Sequence, residues 1–303
     1  SLNSSQSIWL IMSMCAMTIE INKAGFMTTI QDGGRPGYAH MGIPGSGFMD
    51  QDAAKVANKM VGNADHAPLL EVDVAGIGLT IHVDCTVAVV GAQAQVLVNQ
   101  QNKDTTECIE LSQGDQLDIK PLTGGMWTYL AFAGGLVADE ILGSCSTLPL
   151  ARLGGHEGRR IQKGDKLRLI SPATVKGHSK PKHKQRPHNT IHSLAANRGP
   201  EFDLFTAKAQ QDITRQAFIM TKHISRQGMK ITGSELLLKN KVDMNSCGLV
   251  PGSLQVTPGV EYIITHRDSQ TTGGYPRIIV LARQSLNQLA QIRPGEKLYF
   301  YWV

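Results

Sequence analysis

Short runs rich in Val, Ile, Leu and Thr, each closed off by glycine, aspartate or proline, recur along almost the whole chain. In the first half they fall at 18–21, 69–74, 79–83, 86–90, 95–98, 116–119, 127–131 and 166–169, and in the second at 217–221, 253–256, 262–265, 278–281 and 297–301. Runs of this length between turn residues are strands, and their number and spacing predict a mainly β, mostly antiparallel protein of sandwich or barrel type. Helices are few. The clearest is expected at 50–61, where Ala53, Val56, Ala57 and Met60 form one apolar stripe and Gly62 stands at the stop. Two shorter ones are expected at 201–210 and 285–291, the latter ended by Pro294.

At 303 residues the chain is long for one compact domain and suits two. The apolar fraction of 41% with 31 glycines is that of a globular, turn-rich protein. No apolar run approaches the ~18–20 residues that cross a bilayer as a helix, so no membrane partner is expected. The cysteines, Cys15, Cys85, Cys108, Cys145 and Cys247, are single and odd in number, which favours small core residues in a reducing, cytoplasmic setting. Between Ser171 and His192 lie five basic residues, no acid, three prolines and four histidines, and the net charge is +5, so the remainder is balanced. The stretch reads as a solvated basic linker at 176–190, and no nucleic-acid partner or metal site is expected. Residues 1–16 read as a tag or over-extended start, 17–175 as a first domain and 191–303 as a second. Two such domains are also hinted at by an echo: Lys163-Gly-Asp-Lys-Leu resembles Pro294-Gly-Glu-Lys-Leu, each a turn feeding a strand.

No phosphate loop, dinucleotide fingerprint, His-Glu-x-x-His or Gly-x-Ser-x-Gly elbow is present, which removes the main support for those enzyme classes. The backbone of 45–47 offers an anion-binding nest. Two segments carry more polar chemistry than a turn needs. One runs from Thr28 through Gln31, Asp32 and Arg35 to Pro44-Gly-Ser46-Gly and Asp50; the other is His266-Arg267-Asp268-Ser-Gln270-Thr271-Thr-Gly273-Gly274-Tyr275-Pro-Arg277. Each offers acid, amide, hydroxyl and guanidinium groups beside glycines that let a ligand approach the backbone. The alternative for each is an ordinary polar turn, with Asp32–Arg35 a local ion pair and Asp50 a helix cap.

The ordered blocks TTIQDGGRPGY, GIPGSGFMD, LLEV, GGMWTYLAFAGG, LGGHEGR, KGDKL, PGSLQV, DSQTTGGYP and LAQIRPGEKL resemble the biotin-dependent carboxyltransferase family, also known as allophanate hydrolase subunit 2 or urea-amidolyase-related proteins, which includes the C subunit of prokaryotic 5-oxoprolinase. The resemblance extends from Met17 to Val303 except for the linker. It implies two cyclophilin-like β-barrel domains with a few short helices. It also implies a smaller cyclophilin-like B subunit and an A subunit as partners, with ATP used by the complex to open the 5-oxoproline lactam to glutamate. In the alternative, the chain is the carboxyltransferase component of a urea carboxylase/allophanate hydrolase system, and biotin rides on a partner. A third reading is a non-enzymatic regulatory partner of a kinase inhibitor. Two departures stand out: Cys247 replaces the family's usual Glu, and the usual Asp before Arg226 is absent.

Either reaction acts on an amide nitrogen beside a carbonyl and builds negative charge on oxygen. With the resemblance, Asp32 and Asp268 become the candidates for proton transfer or for accepting an amide N–H, unless they only orient Arg35 and Arg277. Arg35 and Arg277 suit a two-pronged grip on a carboxylate or phosphate. Gln31 and Gln270 suit an amide, and Ser46, Thr271, Gly273 and Gly274 supply donors to an oxyanion. Tyr275, Glu71 and His40 are open to either a site or a scaffold role.

Overall fold

The computed structural model describes residues 17–174, 187–257 and 261–303, so the readings of 1–16 and of Lys176, Lys180, Lys182, Lys184 and Arg186 lie outside the described residues. The chain is mainly β and divides into two compact units: one within Ser1–Gly34 and Gln51–Pro187, the other within Arg35–Asp50 and His188–Val303.

The first unit holds β1 (Thr18–Lys23), β2 (Thr29–Gln31), β3 (Leu69–Val72), β4 (Ile77–Ile81), β5 (Cys85–Gln93), β6 (Val96–Val98), β7 (Gln101–Asn102), β8 (Ile109–Leu111), β9 (Gln116–Ile119), β10 (Gly124–Phe132) and β11 (Lys166–Arg168). They form a six-stranded sheet, β11-β1-β4-β9-β6-β7, and a five-stranded one, β2-β3-β10-β5-β8. One apolar core joins the two sheets: Ile19, Ile21, Leu79 and Leu117 come from the first, and Ile30, Leu70, Val87 and Leu130 from the second. β3 is buried along its whole length, which is why LLEV lacks a clean in-out alternation. Helix α1 (Gln51–Met60) buries Ala53, Ala54, Ala57, Asn58 and Met60. Asn58 is buried where the stripe led one to expect Val56, because its amide donates to Ala67 O at 2.9 Å and pins the chain after the helix. Gly62, at φ 76°, ends the helix as expected.

The second unit holds β12 (Ile191–Arg198), β13 (Phe218–Ile224), β14 (Gly228–Thr232), β15 (Cys247–Gly248), β16 (Ser253–Val256), β17 (Glu261–Thr265), β18 (Thr272–Gly273), β19 (Arg277–Leu281) and β20 (Lys297–Trp302). Seven of these close a barrel, β12-β19-β16-β17-β14-β13-β20, sealed by parallel pairing of β12 with β20. Closure removes the exposed edges an open sheet would leave. β15 and β18 make a separate ribbon in which Cys247 faces Gly273. The helix expected at 201–210 is instead a 3-10 turn (Phe202–Leu204) followed by α2 (Ala207–Arg215). Thr206 is the reason: it is extended and its hydroxyl accepts from Ala209 N, so the helix starts after it. Helix α3 (Arg283–Leu289) lies close to the expected third helix. The two echoing turns both carry a left-handed glycine, Gly164 at φ 91° and Gly295 at φ 86°, ahead of β11 and β20.

Two segments depart from the domain division expected from sequence. Residues Arg35–Asp50 cluster with the second unit although they precede α1. The end of the basic stretch is anchored: His188 Nε2 and His192 Nε2 lie 2.5 and 2.9 Å from the two oxygens of Glu296.

Candidate functional site

In the first unit the polar block is built where β2 runs out. Thr147 donates to Ile30 O through both its N–H (3.0 Å) and its hydroxyl (2.8 Å), so the 144–147 segment lies along β2. Gly155 makes room for it, since a Cβ there would come 1.9 Å from Thr147 Oγ1. Asp32, next after β2, then meets a ring of donors. Ser144 Oγ and Ser146 Oγ reach its Oδ1 at 2.6 and 2.5 Å, Gly34 N reaches Oδ1 at 2.8 Å, and Cys145 N reaches Oδ2 at 2.6 Å. Four neutral donors fix the orientation of this carboxyl group, and none of them carries a charge of its own. Gln31 is buried and spends both amide hydrogens inside the unit, on Thr29 Oγ1 and Thr147 O, so it ties β2 to this segment and has no N–H left to read a substrate amide. Glu71, fully buried on β3, accepts from Tyr129 OH at 3.0 Å.

In the second unit the alternative in which Asp268 orients Arg277 gives way to two other pairings. Arg226 Nε and Nη2 donate to Asp268 Oδ2 and Oδ1 at 2.7 and 2.9 Å, a two-pronged pair with both side chains 4% exposed. Arg277 Nε and Nη2 instead take Glu201 at 2.8 and 2.6 Å, its backbone N–H adds a third bond to Glu201, and Nη1 donates to Gly248 O at 2.5 Å. The Arg277 fork is therefore filled by Glu201 and holds the β15–β18 ribbon, which leaves no grip for a substrate carboxylate. Burial pushes the Glu201 carboxyl up, but the Arg277 side-chain and backbone bonds outweigh it and hold it below the ordinary range. His266, fully buried, is held well below its usual range, first by burial and then by the Arg267 charge. It accepts from Arg267 N at Nδ1 and donates to Leu286 O, a fixed neutral scaffold residue.

Beyond Asp268 the block rises to the surface. Gln270, Gly274 and Tyr275 are exposed, Thr271 is half-buried with its carbonyl taken by Leu249 N, and Gly273 is buried. A Cβ at Gly273 would lie 2.5 Å from Gln255 Nε2, so a larger residue there requires the Gln255 side chain to shift. Cys247 is half-buried with Sγ 3.6 Å from Gly273 O. Gly274 and Tyr275 border a cavity of about 380 Å³ with an apolar wall of Leu236, Leu237, Met244 and Val256.

The turn at 45–47 also belongs to this unit. Ser46 is in the left-handed region at φ 53°, followed by Gly47 at φ 89°. Its N–H donates to Arg267 O at 3.1 Å, Gly47 O accepts from Arg226 Nη2 at 2.7 Å, and Arg35 N donates to Gly45 O at 2.6 Å. The Ser46 amide, one of the three of the expected nest, is therefore committed within the unit. Arg35 is buried, Asp50 accepts from Gln291 Nε2 at 3.1 Å, and His40 sits on the exposed 3-10 turn Ala39–Met41. The Ser46 hydroxyl is buried and has no hydrogen-bond partner among the described residues. A left-handed non-glycine costs about 1 kcal/mol or more and a buried unpaired hydroxyl about 1–3 kcal/mol.

Arg226, Glu201, Ser144 and Ser146 are the partners that the polar blocks alone did not reveal. Arg226 had a signal, since it stands in the motif where the preceding Asp is absent; the serines and Glu201 had none. Among the described residues no group of three or more His, Cys, Asp or Glu is arranged to hold a metal ion, and no helix is long and apolar enough to cross a membrane.

Comparison with known proteins comes from three directions. A family profile described as carboxyltransferase domain, subdomain A and B, matches residues 41–302. The chain is 33% identical over 282 residues to the C subunit of 5-oxoprolinase from Escherichia coli (strain K12), covering 93% of this chain and 90% of that one. It is 28% identical over 304 residues to the urea amidolyase of Saccharomyces cerevisiae, covering 93% of this chain and 16% of that one. The crystal structure of the Kluyveromyces lactis urea carboxylase superposes with a TM-score of 0.88 at 26% identity, covering 95% of this chain and 27% of that one.

Proposed function

Because this chain belongs to the carboxyltransferase domain family of subdomains A and B, we propose that it serves as the C subunit of a 5-oxoprolinase-type assembly, acting in the cytoplasm in the ATP-dependent opening of the 5-oxoproline lactam to glutamate. The observation that carries this reading is the match to the 5-oxoprolinase C subunit along nearly the whole of both chains. Its partners in this reading are the smaller B subunit and the A subunit. In this reading ATP is used by the complex.

Opening the lactam adds water across the C–N bond: the carbonyl oxygen gains negative charge as the carbon is attacked, and the nitrogen takes a proton as it leaves. In this reading Asp32, aimed by its ring of neutral donors, accepts the amide N–H or a proton. Asp268 acts through Arg226. Gln270, Thr271, Gly273, Gly274 and Tyr275 contribute a surface loop for substrate, and Arg35 contributes a charge.

The test is reconstitution. Purified chain should hydrolyse 5-oxoproline with ATP only when the A and B subunits are added. Turnover of about 1 per second or more by the chain alone would overturn the proposed dependence on partners. The second reading, carboxyl transfer from a partner's biotin to urea, is favoured by the superposition on urea carboxylase. Co-purification of a biotinylated protein with urea carboxylation would replace the first reading by the second.

A further inference from the structure

The Gly45-Ser46-Gly47 turn places its one side chain under two penalties at once. Ser46 is left-handed at φ 53°, where a third glycine would fit without strain, and its hydroxyl is buried with no hydrogen-bond partner among the described residues. A scaffold has no use for either property. Both are held in place by named contacts: Ser46 N is tied to Arg267 O at 3.1 Å, and Gly47 O is tied to Arg226 Nη2 at 2.7 Å. Arg226 is in turn fixed at both prongs by Asp268, whose own N–H donates to Arg226 O at 2.9 Å. One guanidinium thus joins the acid of the 266–277 block to the carbonyl that follows Ser46.

We infer that Ser46 Oγ is a preset hydrogen-bond donor for the carbonyl oxygen of a small amide or lactam, and that Arg226 with Asp268 is the positioning pair that aims it. The inference rests on the proposed function for the class of substrate. Ser46 is a donor and not a nucleophile, since no base lies within hydrogen-bond reach of its hydroxyl among the described residues. A hydroxyl with no partner among the described residues has no bond to give up when it donates to the substrate oxygen, and that bond strengthens as negative charge develops there. Arg226 suits the positioning role because its planar fork spans carboxylate and carbonyl together, which a lysine ammonium does not.

The experiment uses the full chain in the reconstituted assembly, with 5-oxoproline and ATP as probe, and the variants Ser46→Ala, Ser46→Gly, Arg226→Lys and Ser46→Ala/Arg226→Lys. Both Ser46 variants should lower kcat by about 10²-fold with KM changed by less than about threefold. The thermal midpoint of Ser46→Gly should stay level or rise, because strain and an unpaired hydroxyl both disappear. Arg226→Lys should lower kcat as well, and the double variant should be no slower than the slower single, since both act through one hydroxyl. Retained kcat with a lowered midpoint in Ser46→Gly would make Ser46 a structural residue and overturn the inference, as would fully additive losses in the double variant. If the wild-type assembly carboxylates urea instead, the functional reading fails while the same variants are assayed on that reaction, and loss there upholds the donor role. The midpoint of Ser46→Gly needs no substrate, so a fall overturns the inference and a rise supports it even where no turnover is detected.

Discussion

Asp32 and Asp268 are both buried acids in glycine-rich turns, yet each is held by the opposite kind of partner. Around Asp32 stand two serine hydroxyls and two backbone N–H groups, all neutral. Asp268 faces a guanidinium that cancels its charge at 2.7 and 2.9 Å. The difference teaches how one residue type is given two tasks. Neutral donors orient a carboxylate and leave it a charge with which to attract a cation or an amide N–H, whereas an arginine converts the acid into a rigid neutral strut. An acid that looks catalytic from its motif is therefore told apart by its partners.

The most damaging change should be Asp268→Ala, which takes the two-pronged carboxylate away from the buried Arg226 guanidinium. A loss of about 3–5 kcal/mol is expected, seen as a fall in the thermal midpoint of roughly 10 °C or more. A loss below about 1 kcal/mol in chemical denaturation would show that Arg226 finds another anion and would erase the contrast. Asp32→Asn should cost less, about 1–3 kcal/mol, since its amide nitrogen brings a donor into a ring of donors. Ser144→Ala and Ser146→Ala should cost about 1 kcal/mol each and combine non-additively with Asp32→Asn. Equal losses for Asp268→Ala and Asp32→Asn would show that partner charge is not what separates the two sites.

A pH-dependent effect sharpens the comparison through a second ion pair. Glu201, whose folded-state carboxyl lies below its ordinary value of 4.5, should contribute about 1–2 kcal/mol through Arg277 at neutral pH. Its unfolded form binds a proton more readily, so the contribution is complete above about pH 4.5 and fades as pH falls through the lower folded value. Glu201→Gln should lower stability at pH 7 and narrow the gap from wild type at pH 3. A gap that stays constant between those pH values would place the Glu201 effect outside charge pairing.

What the sequence made legible was local. Alternating apolar runs and turn glycines marked most strands, and Gly62 marked the end of α1. The strands β2, β7, β8, β12, β14, β15 and β18 were not marked; β7, β15 and β18 are two residues each, too short for any periodicity. The polar blocks were legible as unusual chemistry through their motif, and Cys247 stood out as a departure before its contact with Gly273 O was seen. The helix expected at 201–210 shifted because a single cap, Thr206, outweighs a stretch of moderate helix propensity.

The sequence by itself determined that this chain is mainly β and a member of its family, because strand patterns, turn residues and motif order are properties of neighbouring residues. Only the tertiary structure decided that Arg226 and not Arg277 holds Asp268, that Glu201 fills Arg277, and that serines more than a hundred positions away close around Asp32. It also decided that Arg35–Asp50 clusters with the barrel unit. The physical reason is that a charged side chain takes whatever opposite charge or donor the strand register brings within about 3 Å, and register is fixed by burying the apolar faces, a term summed over the whole unit and written at no single position.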